Sequence, residues 1–100
     1  MANLSIAEFT GRGPVREGQR IAIRGAGRNG QNVAIGGASV ESVALAAGTT
    51  EIRLACNGEC RFLIGDTGDS VDNTGEMLPS GAIEYRAAKP GDVVHVISSS

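Results

Sequence analysis

The sequence feature that most constrains the fold of this chain is a series of short stretches in which apolar and polar residues alternate. Glycine or proline separates these stretches. Residues 51–56 place Ile, Leu and Cys at every second position, and residues 60–64 do the same with Cys, Phe and Ile. Side chains two residues apart share one face of a β-strand, so both segments are predicted to be half-buried strands. Fifteen glycines divide the chain too finely for long helices. The sequence therefore predicts an all-β fold.

Strand-like segments recur at intervals of about ten residues, which is the spacing typical of a β-sandwich or a jelly roll. In the segment 82–86 we expect Ile83 and Tyr85 to face the core and the residues between them to face solvent. The predicted strands are 4–9, 20–24, 32–35, 39–46, 51–56, 60–64, 82–86 and 93–97. We therefore expect a small β-sandwich or jelly-roll-like domain.

Glycine-rich and polar segments mark the predicted connections. Segment 25–30 is predicted to be a flexible loop and segment 66–76 an exposed acidic loop. Pro90 and Gly91 stand where a type II turn favours proline and glycine, so a turn is expected just before the last strand.

Two cysteines bracket an Asn-Gly pair, which is a strong hairpin signal. If 57–59 is a three-residue hairpin loop, Cys56 and Cys60 lie opposite each other across its base. Their spacing is poor for zinc. Buried free thiols and a cross-strand disulfide both remain open, and a reducing compartment favours thiols.

The length of one hundred residues allows one domain. No apolar stretch is long enough to cross a membrane, and no basic segment leads into an apolar run at the start, so we expect neither a membrane protein nor a standard secretion substrate. Within the domain, the irregular and basic residues 1–35 are predicted to form an extended N-terminal arm with the first strands. Residues 36–100 are predicted to form a compact β-sandwich body.

Charge is distributed unevenly along the chain. Residues 1–40 carry five arginines against two glutamates, a net charge of +3, whereas residues 41–100 carry four basic and nine acidic side chains, a net charge of −5. The arginines recur every fourth residue, an even spacing that places them on one side of an extended chain. They are predicted to contact an acidic surface, either of another partner or of a neighbouring copy that meets this chain head to tail, and the alternative is a solvated mixed surface. These candidate interaction residues are Arg12, Arg16, Arg20, Arg24 and Arg28.

No combination of residues points to catalysis. Segment 25–30 matches the dinucleotide pattern G-x-G-x-x-G, but the helix that must follow it is not predicted. His95 lacks a nucleophile partner, which favours a structural role. The acids of 66–76 lack EF-hand spacing, which favours a solvated loop over opportunistic calcium binding. We therefore expect no enzyme, no cofactor and no metal site.

Nucleic-acid binding is also not expected. The basic segment contains no aromatic residue after Phe9 on which bases would stack, and the whole chain has a net charge of −2.

Several segments together carry a resemblance to a known class of protein. They are the opening 1–9, the stretch 48–54, the strand end 62–66, and the closing segments 78–86 and 89–97. This pattern, which spans most of the chain, resembles small virion proteins of tailed bacteriophages, of the capsid decoration or cement type. The arginine-rich stretch 12–28 is not part of the resemblance.

The resemblance implies a non-enzymatic virion structural protein that bridges neighbouring shell subunits. Its implied partners are the major capsid protein and further copies of itself, with no membrane, and its implied location is the capsid surface after assembly in the host cytoplasm. Two alternatives stay open: a receptor- or carbohydrate-binding β-sandwich, and a tail or connector component of the same particle.

Overall fold

A computed structural model describes residues 2–10 and 27–99 of the chain. Within these residues the chain forms eight strands and no helix. The strands are β1 (Asn3–Thr10), β2 (Gly27–Ala34), β3 (Val40–Glu41), β4 (Thr49–Cys56), β5 (Cys60–Gly65), β6 (Glu76–Leu78), β7 (Ile83–Ala87) and β8 (Val93–Ser98). The all-β prediction is confirmed.

The strands form two antiparallel sheets of four. The first sheet has the order β2-β1-β4-β7, and the second has the order β3-β8-β5-β6. Both sheets contribute to one core of buried apolar side chains. Its main members are Leu4, Ile6, Val33, Ile52, Leu54, Cys56, Cys60, Phe62, Leu78, Val94 and Val96.

Alternation along β1 and β4 determines which face of the first sheet meets this core. Ile6 lies directly opposite Leu54, and Leu4 lies opposite Cys56. Leu4, Ile6 and Leu54 are fully buried. The residues between them point to the other side of the sheet because the side-chain period of a strand is two.

The turn predicted before the last strand is confirmed. Gly91 has φ of 88°, which a side chain disfavours, and the amide of Asp92 donates to the carbonyl of Lys89 at 3.1 Å.

The hairpin predicted at 57–59 is wrong. Strand β4 pairs with β1 and β7, whereas β5 pairs with β6 and β8, so this connection carries the chain from one sheet to the other. Asn57 is bound to β1 instead: its side-chain oxygen accepts from the amide of Asn3 at 2.6 Å, and its own amide donates to the carbonyl of Asn3 at 3.3 Å.

The orientation predicted for 82–86 is also wrong. Ile83 and Tyr85 lie on the exposed side of β7, being 56% and 38% exposed. Glu84 and Arg86 lie opposite core residues of β4. Arg86 stands at the open edge between the sheets, where its guanidinium lies 5.7 Å from the centre of the Phe62 ring and pairs with carboxylates, so the inward position suits a charged residue.

Other local predictions differ in extent from the structure. Residues 27–30, predicted to be loop, belong to β2 because they pair with the end of β1 through a register shift. The predicted strand 39–46 is reduced to Val40–Glu41, and β6 was not predicted.

The predicted N-terminal arm is only partly described. Residues 3–10 and 27–34, which the sequence assigned to the arm and first strands, are β1 and β2 of the first sheet, and β1 lies between β2 and β4. Residues 11–26 of the predicted arm, including the predicted strand 20–24, lie outside the described residues, and the arm stays a prediction there.

Candidate functional site

The five candidate arginines cannot be assembled into a site from the described residues. Arg12, Arg16, Arg20 and Arg24 lie outside them. Arg28 lies in β2, near the end of β1 at which Phe9 pairs with Gly27. Their predicted role therefore stays a prediction.

The strand register defines which residues lie on the outward side of the first sheet. One row across its four strands consists of Asn32, Ser5, Ala55 and Ile83, which are directly opposite one another in turn. The next row consists of Gly30, Ala7, Arg53 and Tyr85. We refer to these eight residues as the outer face. Its two central strands carry mostly small side chains, and its β7 edge carries the two large apolar ones.

A shallow depression of about 410 Å³ lies at one end of the outer face. Its lining residues are Asn3, Ser5, Asn32, Ala55, Cys56 and Asn57. Amides and a hydroxyl dominate this lining and provide hydrogen-bond donors and acceptors, beside the free thiol of Cys56. Such a surface can bind polar groups, and the lining shows no nucleophile paired with a general base.

The sequence did not identify the outer face because a short alternating strand has two possible orientations. The segment 83–86 fits the pattern with either set of side chains inward. The orientation of β7 depends on its pairing with β4 and on the contacts of Arg86 with the second sheet. The local alternation of apolar and polar residues encodes neither of these.

His95 fixes the acidic loop that follows β5. The residue is fully buried in β8, and its Nε2 lies 2.9 Å from the carbonyl oxygen of Asp66. A carbonyl only accepts, so Nε2 carries the proton in this contact. Its Nδ1 is buried and has no hydrogen-bond partner among the described residues. His95 therefore holds the start of the loop against the second sheet.

The acids of the loop stabilise its own turns. The Asp69 carboxylate accepts from the amide of Asp66 at 2.9 Å, and Asp72 accepts from the amide and hydroxyl of Thr74. The hydroxyl hydrogen bond from Thr74, followed by that of its amide, holds the pKa of Asp72 below its usual value. Over the described ranges, no three His, Cys, Asp or Glu side chains come together in a way that would hold a metal ion.

Cys56 and Cys60 are both buried free thiols. The Cys56 thiol donates to the carbonyl of Pro79 at 3.1 Å. Burial, aided by the neighbouring Cys56, raises the pKa of Cys60 to about 12. A thiol with so high a pKa is protonated near neutral pH and is a poor nucleophile.

Comparisons with protein-family models, with curated proteins and with solved structures found no match. In the part of the chain that the structure describes, no helix is long and apolar enough to cross a membrane.

Proposed function

We propose that this chain is a non-enzymatic virion structural protein that decorates or cements a bacteriophage capsid. In this role it binds the major capsid protein, joins neighbouring shell subunits, and self-associates on the capsid surface. The sequence resemblance suggests the role, and the outer face is the observation that carries it. That face carries mostly small side chains on its central strands and exposed Ile83 and Tyr85 at its edge, a composition that suits contact with another protein.

The five arginines have a complementary part in this proposal. Arg12, Arg16, Arg20, Arg24 and Arg28 provide positive charge to contact acidic surfaces of the shell. Charge complementarity of this kind speeds association and selects the partner, while the apolar part of the outer face provides buried area.

We also propose that the two sheets stack as a β-sandwich with jelly-roll-like topology. Strand β5 pairs with β6, β4 with β7, and β3 with β8, all antiparallel, so that each pair encloses the previous one in sequence. Such pairs arise when a long two-stranded antiparallel ribbon folds back at one connection, here the one between β5 and β6. Successive pairs alternate between the second and first sheets, which supports a ribbon wrapped around a core. The next pair in this series would join β2 to a strand that follows β8. In this chain the N-terminal strand β1 occupies that position beside β2, in the first sheet.

A receptor- or carbohydrate-binding function is the second candidate, and the amide-lined depression favours it. Asn3, Asn32 and Asn57 surround the depression, and amides pair well with sugar hydroxyls. An exposed aromatic residue, Tyr85, lies one row away on the same face. A glycan array probed with the purified chain would support this candidate if Asn32→Ala abolished a hit, and an array without hits would remove it.

Attachment to particles tests the leading proposal. Capsids that lack this protein are incubated with the wild-type chain, with the variant in which all five arginines are alanine, and with Ala7→Lys. Ala7→Lys adds a long charged side chain at the centre of the outer face. We expect both variants to bind several-fold fewer copies per particle, because the first loses charge attraction and the second obstructs close contact.

The matched control is Ser70→Lys, which adds the same charge in the exposed loop beside the second sheet. It is expected to bind like wild type. Unchanged occupancy for both the arginine variant and Ala7→Lys, with all chains folded by circular dichroism, contradicts the proposal. A few copies per particle at one vertex would instead indicate a tail or connector component.

A further inference from the structure

The end strand β7 differs from the other sheet edges. Among the strands that the structure describes, β7 has a neighbour on one side only, as do β2, β3 and β6. Strands β3 and β6 have two and three residues, too few for an extended ladder. Along β2 the described outward positions carry Gly30, Asn32 and Ala34, whereas β7 presents the large apolar residues Ile83 and Tyr85.

The backbone of β7 is oriented for pairing along its outer edge. The amide of Ala88 donates to the carbonyl of Thr50 in β4 at 3.1 Å. Backbone groups of successive residues in an antiparallel strand point to alternate sides, so Ile83, Tyr85 and Ala87 direct theirs away from β4. The Arg86 guanidinium donates to the carbonyl of Tyr85 at 2.9 Å, a contact that a partner strand would replace.

The sequence of β7 is complementary to itself. When two copies of Ile-Glu-Tyr-Arg-Ala lie antiparallel and centred on the tyrosine, Glu84 of each copy faces Arg86 of the other. Opposite charges at directly paired positions stabilise an antiparallel ladder, and like charges destabilise it. The same alignment places Ile83 opposite Ala87 and Tyr85 opposite its own copy, all with edge-directed backbone groups.

Edge strands that must stay single are commonly protected by lysine, proline, a bulge or inward-pointing charges, and the inward charges of β7 are Glu84 and Arg86. Strand β7 contains no lysine or proline, has no net charge, and pairs with β4 without a register shift. Its two charges pair with each other across a two-fold axis, so they favour self-pairing rather than prevent it.

We propose that two copies of this chain associate through β7, antiparallel and centred on Tyr85, so that their first sheets join into one sheet of eight strands. The interface is isologous, as two-fold symmetry requires. This interface identifies the surface through which the chain self-associates in the proposed function. Only its role on the capsid depends on that proposed function. The test therefore uses purified chain without capsids, so that either idea can fail alone.

Sedimentation and charge reversal test the pairing. Wild type is expected to sediment as a concentration-dependent dimer. Glu84→Arg places two arginines opposite each other at both ends of the ladder and is expected to weaken dimerisation about tenfold or more. A triple variant, Glu76→Arg, Glu84→Arg and Arg86→Glu, reverses every charge of the cluster around Arg86 and keeps its ion pairs within the chain. It loses the contact of Arg86 with Phe62 but is expected to dimerise again.

Mixing gives the decisive readout. Labelled wild type and the triple variant should each form homodimers yet exchange subunits poorly, because a mixed pair sets like charges opposite each other. Ready exchange between them, or wild type that stays monomeric at millimolar concentration, overturns the proposal.

A covalent trap provides an independent measurement. In the proposed pairing the Cα atoms of residue 85 lie about 5.5 Å apart, within the range of a disulfide. Tyr85→Cys should therefore cross-link to a dimer under mild oxidation. Asn32→Cys, exposed on the opposite edge strand of the same sheet, is the control and should not. Equal cross-linking of both variants contradicts pairing through β7.

Discussion

The two faces of the first sheet are built from alternate residues of the same strands but have different roles. The inner face carries Leu4, Ile6, Ile52 and Leu54, all fully buried. The outer face carries mostly small side chains on its central strands, together with Arg53, and two exposed apolar residues on β7. The inner face holds the fold together, and the outer face is the surface that we propose for contacts between molecules.

Polarity alone does not determine which face a residue joins. Glu8 is on the inner face and only 2% exposed, whereas Ile83 and Tyr85 are on the outer face. The Glu8 carboxylate is accommodated because Oε1 accepts from the amide of Ala46 and the hydroxyl of Thr49, both at 2.8 Å. Strand register assigns the face, and hydrogen bonds then satisfy a polar residue placed inside.

The largest expected difference between the faces is in the free energy of unfolding. Leu54→Ala leaves a cavity in the core and should cost about 2–5 kcal/mol. Ile83→Ala removes a similar side chain from the outer face and should cost less than about 1 kcal/mol. Urea denaturation of both variants measures the two values. Equal losses would show that Ile83 is buried and that the assignment of the faces is wrong.

Glu8 tests whether a buried carboxylate supports the inner face. Glu8→Ala leaves the Ala46 amide and the Thr49 hydroxyl without their acceptor and should cost about 1–3 kcal/mol. Glu8→Gln keeps an oxygen acceptor in the same place and should recover part of the loss. A fully stable Glu8→Ala variant would contradict the hydrogen-bonded arrangement.

Two arginines on neighbouring strands provide a second comparison between the inner and outer faces of the first sheet. Arg86 points inward at the sheet edge, over Phe62 and beside Glu76 and Glu84, so Arg86→Ala should cost about 1 kcal/mol. Arg53 lies opposite Tyr85 on the outer face, and Arg53→Ala should change stability by less than about 0.5 kcal/mol. Thermal unfolding of the two variants measures which substitution lowers stability more. A larger loss of stability for Arg53→Ala would contradict the assignment of Arg86 to the inner face and Arg53 to the outer face.

The last prediction concerns a buried carboxylate outside the first sheet. Asp92 accepts from the Lys89 ammonium at 2.7 Å and from the Lys89 amide at 3.0 Å. The ammonium hydrogen bond comes first among the causes that hold the pKa of Asp92 below its usual 3.8. A lowered pKa in the folded state gives stability that is present above pH 3.8 and is lost as the pH falls through the folded value.

Acid unfolding measures this effect. Wild type should lose more stability than Asp92→Asn as the pH falls from 5 to the acid limit, because protonation of Asp92 breaks its ion pair with Lys89. Asp72→Asn is the comparison, because Asp72 has a lowered pKa but is exposed in the loop. Identical acid profiles for wild type and Asp92→Asn would contradict the assigned contact.

Local pattern was sufficient for the fold class and for several elements. Alternation predicted β4 and β5, and Pro90 with Gly91 predicted the turn before β8, because each of these depends on neighbours in sequence. The hairpin at 57–59 failed because Asn-Gly favours a turn without specifying whether the next strand returns to the same sheet. The orientation of β7 failed because the contacts of Arg86 with the second sheet determine it.

The candidate site could be predicted from the sequence less completely than the fold. The outer face brings together residues of four strands, and their side-by-side order follows from strand pairing that no single segment encodes. Small residues such as Ser5 and Ala55 carry no chemical signature alone. The arginines could be selected by spacing and charge, but the surface that we propose for them to contact would belong to another molecule.

Quantitative mass spectrometry of purified phage particles tests the central proposal most directly. The account predicts that this chain is present in the particle with a copy number in fixed proportion to the major shell protein. Absence of the chain from intact particles would contradict a virion structural role.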